Sequence, residues 1–436
     1  MGRVPGRRYP AHDPRVRARR DGQQTVKAHR AYQYRLYPNA TQTKALDWTL
    51  DRCRELYNAA LEERREAYRM GGANISRFDQ QRQLPGVKDV RPEYKRIDAQ
   101  VLQDVTRRLN LTFEAFFRRV AEFKRLKATG IKAERKVGFP RFKSKYRYNS
   151  LTFSQTGWKL PALDSGRLYI TSIGHLKLKW SRPIDGTIKT VTIKRDAEQW
   201  YVTFSCEVEI PDAPPAHDKP AVGIDLGLEY FATLSTGEHI ENPRHYRKAQ
   251  AVIAKRQQAF EHKKKRVKLK DGTYRYGKNR AKAGIALKKA HRHVANQRRD
   301  LHHKTARMIV DTYGAVAVES LSIDNTTRRP APIKNDDGTY APNGAAAKAG
   351  LNKSINDAGW GNFLSILTDK AASAGCVIVK VNPVGTSQVC SRCGVKVPKA
   401  LDVRWHDCPH CGLSIQRDEN AALNILMRAG LVRSAA

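Results

Sequence analysis

Cys390-Ser-Arg-Cys393 and Cys408-Pro-His-Cys411 lie 14 residues apart near the C-terminus, and few patterns restrict a fold so strongly. Two such knuckles bring four thiolates tetrahedrally around one zinc ion at about 2.3 Å. Gly394 and Gly412 follow the knuckles and allow the tight turn beneath the metal. Redox chemistry needs one CxxC on a thioredoxin-like βα unit, and a spaced pair does not fit it. Four thiolates leave no open coordination position, so the zinc expected here is structural. Cys53, Cys206 and Cys376 are isolated, whereas a secreted disulfide framework spreads its pairs along the chain. This cysteine usage points to a reducing compartment and a single thiolate metal site.

The rest of the chain is dominated by positive charge. Its 436 residues hold 81 Lys and Arg against 42 Asp and Glu, a net charge of +39. A surplus of that size excludes an ordinary metabolic enzyme and points to a polyanionic partner. A membrane surface is the other polyanion to consider. No run of 18 apolar residues occurs, and Met1 to Arg30 is Arg-rich without an apolar core. Neither a signal peptide nor a membrane anchor is therefore expected. The expected location is cytoplasmic, where the chain meets nucleic acid.

Since one domain averages ~150 residues, this length calls for two to four units with their own cores. Residues 1–27 carry Pro, Gly and many Arg without periodicity and read as a disordered basic tail. A strand pattern over Ala31–Tyr37 ends at Pro38-Asn39. Helical periodicity then runs from about Gln42 to Arg69 and from about Asp98 to Leu126. In the second helix Leu102, Val105, Leu109, Leu111, Phe113, Phe116 and Phe117 supply an apolar stripe. From Lys136 to Ile210 the period becomes two, as in Leu176–Trp180, Thr190–Lys194 and Trp200–Ile210. A small β-barrel interrupted by a helical insertion fits this order.

Pro211-Asp212-Ala213-Pro214-Pro215 marks a domain boundary. Beyond it the pattern is α/β, with strands expected at Ala221–Ile224, Tyr230–Ser235, Ala315–Val318 and Cys376–Val381. Residues 244–308 hold 22 Lys and Arg against Glu261, Asp271 and Asp300. That stretch is either a solvated helical hairpin or a surface that phosphates neutralise, and its one-sidedness favours the second. Residues 328–349, rich in Pro, Asn, Gly and Ala, read as a flexible loop.

Within this α/β region three acids stand out. Asp225 ends the apolar strand Val222-Gly223-Ile224-Asp225, and Glu319 ends Ala315-Val316-Ala317-Val318-Glu319. Asp418 opens a helix at Arg417-Asp418-Glu419-Asn420-Ala421-Ala422. Each has an ordinary alternative: a turn or cap residue for Asp225, an N-cap for Asp418. Together, on two strands and one helix of a highly basic protein, they suit a two-metal phosphoryl-transfer site, where carboxylates hold two Mg²⁺ ions about 3.5–4 Å apart. In an RNase H-like sheet the first strand, the fourth strand and a late helix converge in this way.

At these residues the chain closely resembles the TnpB family of transposon-encoded RNA-guided DNA nucleases, held to be ancestral to the type V CRISPR effectors. The match runs over most of residues 28–430 and leaves the first 27 outside. It includes Tyr34-Arg35-Leu36-Tyr37-Pro38, Gly138-Phe139-Pro140-Arg141-Phe142, Gly223-Ile224-Asp225-Leu226-Gly227 and Ser354-Ile355-Asn356-Asp357-Ala358-Gly359-Trp360-Gly361. It continues through Ser387-Gln388-Val389-Cys390-Ser391-Arg392-Cys393-Gly394 and Arg417-Asp418-Glu419-Asn420-Ala421-Ala422-Leu423-Asn424-Ile425.

The resemblance implies a multidomain α/β protein. Its parts would be a wedge β-barrel (28–40 and 131–212), a helical recognition domain (41–130), an RNase H-like RuvC nuclease domain (216–384 and 416–430) and an inserted zinc ribbon (385–415). It carries the catalytic, magnesium-holding roles onto Asp225, Glu319 and Asp418. It further implies a guide RNA from the transposon end and cleavage of matched double-stranded DNA beside a short adjacent motif. Gln100 and Gln103, one helical turn apart, are candidate readers of that motif, against the plain alternative of two exposed glutamines. Arg141, Lys143, Lys145 and Arg147 interleave with Phe142, Tyr146 and Tyr148, a combination suited to RNA phosphates and stacking, or else a barrel edge. Trp360 is expected in the core of the nuclease domain. The competing readings are a nuclease-dead RNA-guided repressor, a basic zinc-ribbon protein that only binds RNA, and a DNA-joining transposase.

Overall fold

Tyr32, Tyr34 and Leu36 are buried and alternate with polar neighbours, which fixes the inner face of the first strand, β1 (Thr25–Tyr37). The computed structural model describes residues 25–130, 137–145, 147–160, 166–211, 218–269, 273–400 and 402–431. Most of the basic tail, Tyr146, and the linker from Asp212 to Pro215 thus lie outside the described residues. The chain divides into two units, Lys27–Glu209 and the part from Ile210 onward.

In the first unit Pro38 ends β1 and Asn39 caps α1 (Ala40–Gly71). The Gln42 amide donates to the Asn39 side chain at 2.9 Å, and the Asn39 amide donates back to the Gln42 side chain at 3.1 Å. Short helices α2 (Arg77–Arg82) and α3 (Leu84–Val90) lead to α4 (Ala99–Ala128), which packs on α1. Leu102, Val105 and Leu109 are buried on α4 as expected, but Leu111 and Phe117 are exposed. At 100° per residue Leu111 falls about 180° from Leu102, so it could not share the stripe.

Strands β2 (Ser150–Phe153), β3 (Trp158–Lys159), β4 (Arg167–Ile170), β5 (Gly174–Lys179), β6 (Thr187–Asp196) and β7 (Gln199–Pro211) follow. The described residues between Gly138 and Asn149, expected to alternate, form no strand. Sheet order is β2-β6-β7-β1-β5-β4-β3. The edge strands β2 and β3 are joined by residues 154–157 alone, a span of at most ~17 Å. Six strand spacings of a flat sheet would need ~29 Å, so the sheet must curl into a nearly closed barrel. Arg108 ties α4 to it, donating to Ser150 O at 2.9 Å and Thr152 Oγ1 at 2.7 Å while Asp104 holds its Nε at 2.5 Å.

The second unit is built on a five-stranded sheet of order β10-β9-β8-β13-β16. Its strands are β8 (Ala221–Asp225), β9 (Tyr230–Leu234), β10 (His239–Glu241), β13 (Ala315–Glu319) and β16 (Val377–Val381). Between β10 and β13 come α5 (His245–Glu261), the hairpin of β11 (Arg266–Lys268) with β12 (Tyr274–Tyr276), and α6 (Lys278–Thr312). After β13 come α7 (Ile323–Thr326), β14 (Ile333–Lys334), β15 (Tyr340–Ala341), α8 (Ala345–Ala358) and α9 (Trp360–Ala374). The expected flexible loop at 328–349 therefore contains a small hairpin, with Ile333 paired to Ala341, and the first turn of α8. The chain ends its described course through β17 (Trp405–Asp407), β18 (Ser414–Gln416) and α10 (Arg417–Arg428).

β8, β13 and β16 run parallel, and both faces of this centre are covered. Val222, Ile224, Val316 and Val318 face a core with Ile309, Val310, Phe363 and Leu367 of α6 and α9. Trp360 lies in this core as expected, its indole donating to Gly227 O at 3.3 Å. The opposite face, with Ala317 and Val381, packs on Ile425 of α10.

Candidate active site and metal centre

The parallel register pairs Ala317 with Gly223 and Val318 with Ile224. One step further sets Glu319 beside Asp225, at the C-terminal ends of adjacent strands. In-register neighbours project to the same face, and period two puts Asp225 on the face of Gly223 and Glu319 on that of Ala317. That face is the one α10 covers.

Gly223 decides how close the helix comes. A Cβ there would sit 2.1 Å from Ala422 O and 2.9 Å from Leu426 Cβ, so only glycine lets α10 lie this near β8. The approach brings Asp418, in the first turn of α10, to the carboxylate end of the sheet. The N-cap position belongs to Gln416, whose side chain makes no cap, so Asp418 is not the N-cap. Its Oδ2 instead lies 3.9 Å from where a Cβ on Gly227 would be.

Asp225 feels the charges of both other acids. Burial, then the charges of Glu319 and Asp418, push the Asp225 carboxyl up to about 8, with Arg417 partly opposing. Burial also raises Glu319, against a hydrogen bond from Thr386. Thr386 Oγ1 donates to Glu319 Oε1 at 2.6 Å, and Arg417 Nε lies 3.4 Å from Asp418 Oδ1. Yet the three do not share the tight clustering that one ion demands. Among the described residues, only the four cysteines place three or more His, Cys, Asp or Glu ligand atoms all within 4.8 Å of one another.

The cysteines do converge. Cys390 and Cys411 Sγ lie 3.6 Å apart, as do Cys393 and Cys408 Sγ. A tetrahedron with 2.3 Å metal–sulfur bonds has edges of about 3.8 Å, so the cluster fits zinc. Gly394 and Gly412 adopt φ of +73° and +70°, and each amide donates at 2.9 Å to the carbonyl of its knuckle's first cysteine. Two asparagines of α10 anchor this module. Asn424 donates to Thr386 O at 2.8 Å and Val389 O at 2.7 Å, while Asn420 donates to Val389 O and accepts from the Ser391 amide. Sequence reasoning missed Thr386, Asn420 and Asn424. The asparagines left a signal, two amides one turn apart on the buried side of a helix, where each needs a partner. Thr386 left none.

The nucleic-acid candidates in the first unit are mixed. Gln103 is exposed, but Gln100 Oε1 already accepts from Ser154 Oγ and from the amides of Gln155 and Thr156, at 2.9, 2.6 and 3.0 Å. Arg141 and Arg147 are exposed; Lys143 lies over the Tyr57 ring, and Lys145 pairs with Asp51 at 3.3 Å. Tyr148 is buried against Tyr57 and cannot stack on a base, whereas Phe142 is exposed. The basic stretch 244–308 forms a helical hairpin of α5 and α6. Buried Arg280 staples it, lying 3.9 Å over the Phe260 ring and donating at 2.8 Å to Phe260 O and Lys263 O.

Residues 203–329 match a family model described as "Probable transposase" (OrfB of the IS605 type), and 360–425 match the Cas12f1-like TNB domain. Residues 28–73 match a helix-turn-helix model, a stretch that here is β1 and one long helix. An Acanthamoeba polyphaga mimivirus protein named "TnpB-like protein L770" is 25% identical over 57% of this chain and 45% of its own. An Escherichia coli K12 protein, "Putative RNA-guided DNA endonuclease InsQ", is 27% identical over 92% of both chains. A Streptomyces pristinaespiralis "Putative RNA-guided DNA endonuclease" is 31% identical over 93% of this chain and 90% of its own.

The chain belongs to the TnpB family. Likeness among solved structures is looser: CasPhi-2 (Cas12j) bound to crRNA matches at a TM-score of 0.46 and 10% identity, over 93% of this chain and 98% of that one. In this TnpB protein no described helix is long and apolar enough to cross a membrane.

Proposed function

We propose that this TnpB protein is an RNA-guided DNA endonuclease of a transposon, cutting guide-matched double-stranded DNA with Asp225, Glu319 and Asp418. The observation that carries the reading is the register that sets Asp225 beside Glu319 under the first turn of α10. The five-stranded order, with the first and fourth strands adjacent and a late helix across them, supports an RNase H-like RuvC domain.

Oxygen-only carboxylates are the hard donors that Mg²⁺ prefers, and burial, then the charges of Glu319 and Asp418, keep Asp225 mostly protonated at neutral pH without a metal, with Arg417 partly opposing. Two ions ~4 Å apart with ligand bonds of ~2.1 Å let their ligands stand up to ~8 Å from one another, so acids outside one tight cluster suit a pair of ions better than a single one. When bound, the metals supply charge stabilisation at the scissile phosphate and acidify the attacking water. Asp225, Glu319 and Asp418 would hold the ions, with Glu319 oriented by Thr386 and Asp418 by Arg417. The four cysteines would hold one structural zinc.

A guide RNA transcribed from the transposon end delivers sequence recognition by pairing, beside a short motif in the DNA. Such pairing needs cationic surface more than base-reading side chains, in keeping with the α5–α6 hairpin. All three acids are present, which disfavours a nuclease-dead repressor. The test is to strip RNA with RNase, then add back an RNA with an altered guide segment. The protein should be inert on duplex DNA when stripped and should cut at the newly matched sequence afterwards. Cutting at the original site without RNA would sink the guided mechanism and favour a protein-read transposase.

A further inference from the structure

A cavity of about 720 Å³ opens in the second unit at Leu228, three residues along the chain from Asp225. Its walls come from the β8–β9 turn, the start of α5, the middle of α8, and Arg404. Two links tie it to the acids. Leu228 in its wall follows Gly227, the residue against Asp418, and Arg404 O accepts from the Arg417 amide at 2.8 Å.

The charges in the lining are unevenly satisfied. Glu229 pairs with Arg404 at 3.2 Å. Asp357 accepts from the amides of Tyr246 at 2.8 Å and Arg247 at 3.2 Å, and lies 3.7 Å from Arg298. The acids and the start of α5 are therefore occupied. Arg244, Arg247 and Lys353 are exposed, and among the described residues their side chains have no hydrogen-bond or ion-pair partner. Arg244 takes a left-handed φ of +50°, held where Asn242 accepts from its amide at 3.2 Å and donates to Leu228 O at 2.8 Å. A lining of three unpaired cations with a half-buried tyrosine and amide groups suits an anion that also offers a flat ring.

We propose that this cavity receives a nucleotide of the single DNA strand entering the active site, its phosphate against Arg244, Arg247 and Lys353 and its base beside Tyr246. The volume matches a nucleotide-sized ligand. Its place next to acids that handle phosphodiesters selects a continuous strand over a free nucleotide. The proposal rests on the nuclease reading for the identity of the strand, and its test separates the two.

In the full chain loaded with guide RNA, Tyr246 is replaced by the photo-crosslinker p-benzoylphenylalanine and matched DNA is added. The crosslink should fall on DNA within a few nucleotides of the scissile phosphate; a crosslink on guide RNA alone, or none, overturns the proposal. Separately, fluorescein-labelled decathymidylate is titrated against wild type and Arg244→Ala/Arg247→Ala/Lys353→Ala at several salt concentrations. At about 0.7 per neutralised phosphate on a single strand, removing the three cations that share one phosphate should flatten the log–log salt slope by about 0.7 and weaken binding ~10–100-fold. An unchanged slope at unchanged melting temperature overturns the pocket. Should wild type never cut guided DNA while the variant with the crosslinker at position 246 still crosslinks to decathymidylate, the nuclease reading fails and the pocket stands. Guided cutting without any crosslink removes the pocket and leaves the nuclease.

Discussion

At Asp225, burial and two neighbouring carboxylates hold the pKa near about 8 against an ordinary 3.8, so metal-free folded protein keeps a proton that the unfolded chain releases. The folded state then binds more protons than the unfolded state across that window, and stability falls as pH rises from about 4 to about 8. Melting in EDTA should therefore show a lower Tm at pH 8 than at pH 5. Asp225→Asn should flatten that slope and raise the pH 8 Tm, on the order of 5 °C, while abolishing cleavage and sparing guide and target binding. Mg²⁺ should raise the wild-type Tm at pH 8 and leave the variant's nearly unmoved. Equal slopes in both proteins would remove Asp225 from the cluster. Thr386 belongs to the same scale: Thr386→Val takes the hydroxyl from Glu319 and should raise the Mg²⁺ concentration for half-maximal cutting ~10–100-fold, which a Mg²⁺ titration reads directly. Asp225 and Glu319 were legible because each ends an apolar run in a charge. Thr386 was not, since its reach to Glu319 depends on a chain path that no local pattern encodes.

Helix α10 joins two sites that the sequence presents as separate blocks. Its approach to the sheet depends on Gly223, and its asparagines grip the segment entering the zinc module. Gly223→Ala should push α10 off β8 and displace Asp418. The expected result is a stability loss of about 1–3 kcal/mol, as for overpacking, with cleavage reduced more steeply than guide binding. Wild-type cutting by that variant would show the close approach to be dispensable. Zinc should act through the same helix. Native protein should carry about one zinc per chain, as a single closed site does, and Cys408→Ser should release it and unfold residues 385–415. Because Asn420 and Asn424 bind backbone from Thr386 to Ser391, hydrogen exchange should also quicken at residues 386–391, and cutting should fall although no cysteine belongs to the acid cluster. Full activity without metal at these thiols would contradict that coupling. Strands, long helices and knuckles were readable from period and spacing, whereas Leu111 was misplaced by counting apolar residues without their angle, and the hairpin at Ile333–Ala341 was hidden in loop-like composition.

Over the whole molecule, a net charge of +39 means the chain folds against its own repulsion unless polyanions neutralise it. Much of that excess lies on the α5–α6 hairpin, where Lys255, Lys263, Lys264, Lys265 and Lys282 are exposed, while Arg280 is buried as an internal staple. The two kinds of cation should separate experimentally. Lys255→Glu/Lys264→Glu/Lys282→Glu changes only exposed charges, so its Tm without RNA should equal or exceed that of wild type as repulsion falls. Its affinity for guide RNA should drop, and the log–log salt slope should flatten by about 0.7–0.9 for every phosphate that is no longer neutralised. Arg280→Ala should do the opposite, lowering Tm by freeing the carbonyls of Phe260 and Lys263 while leaving the salt slope nearly intact. Filter binding at four salt concentrations, beside melting curves, decides the matter. If the triple charge reversal leaves both affinity and slope unchanged, this hairpin is only a solvated surface and the RNA lies elsewhere. If slope and affinity fall together, the hairpin holds a nucleic-acid backbone through exposed charge, while Arg280 serves only to keep its two helices together.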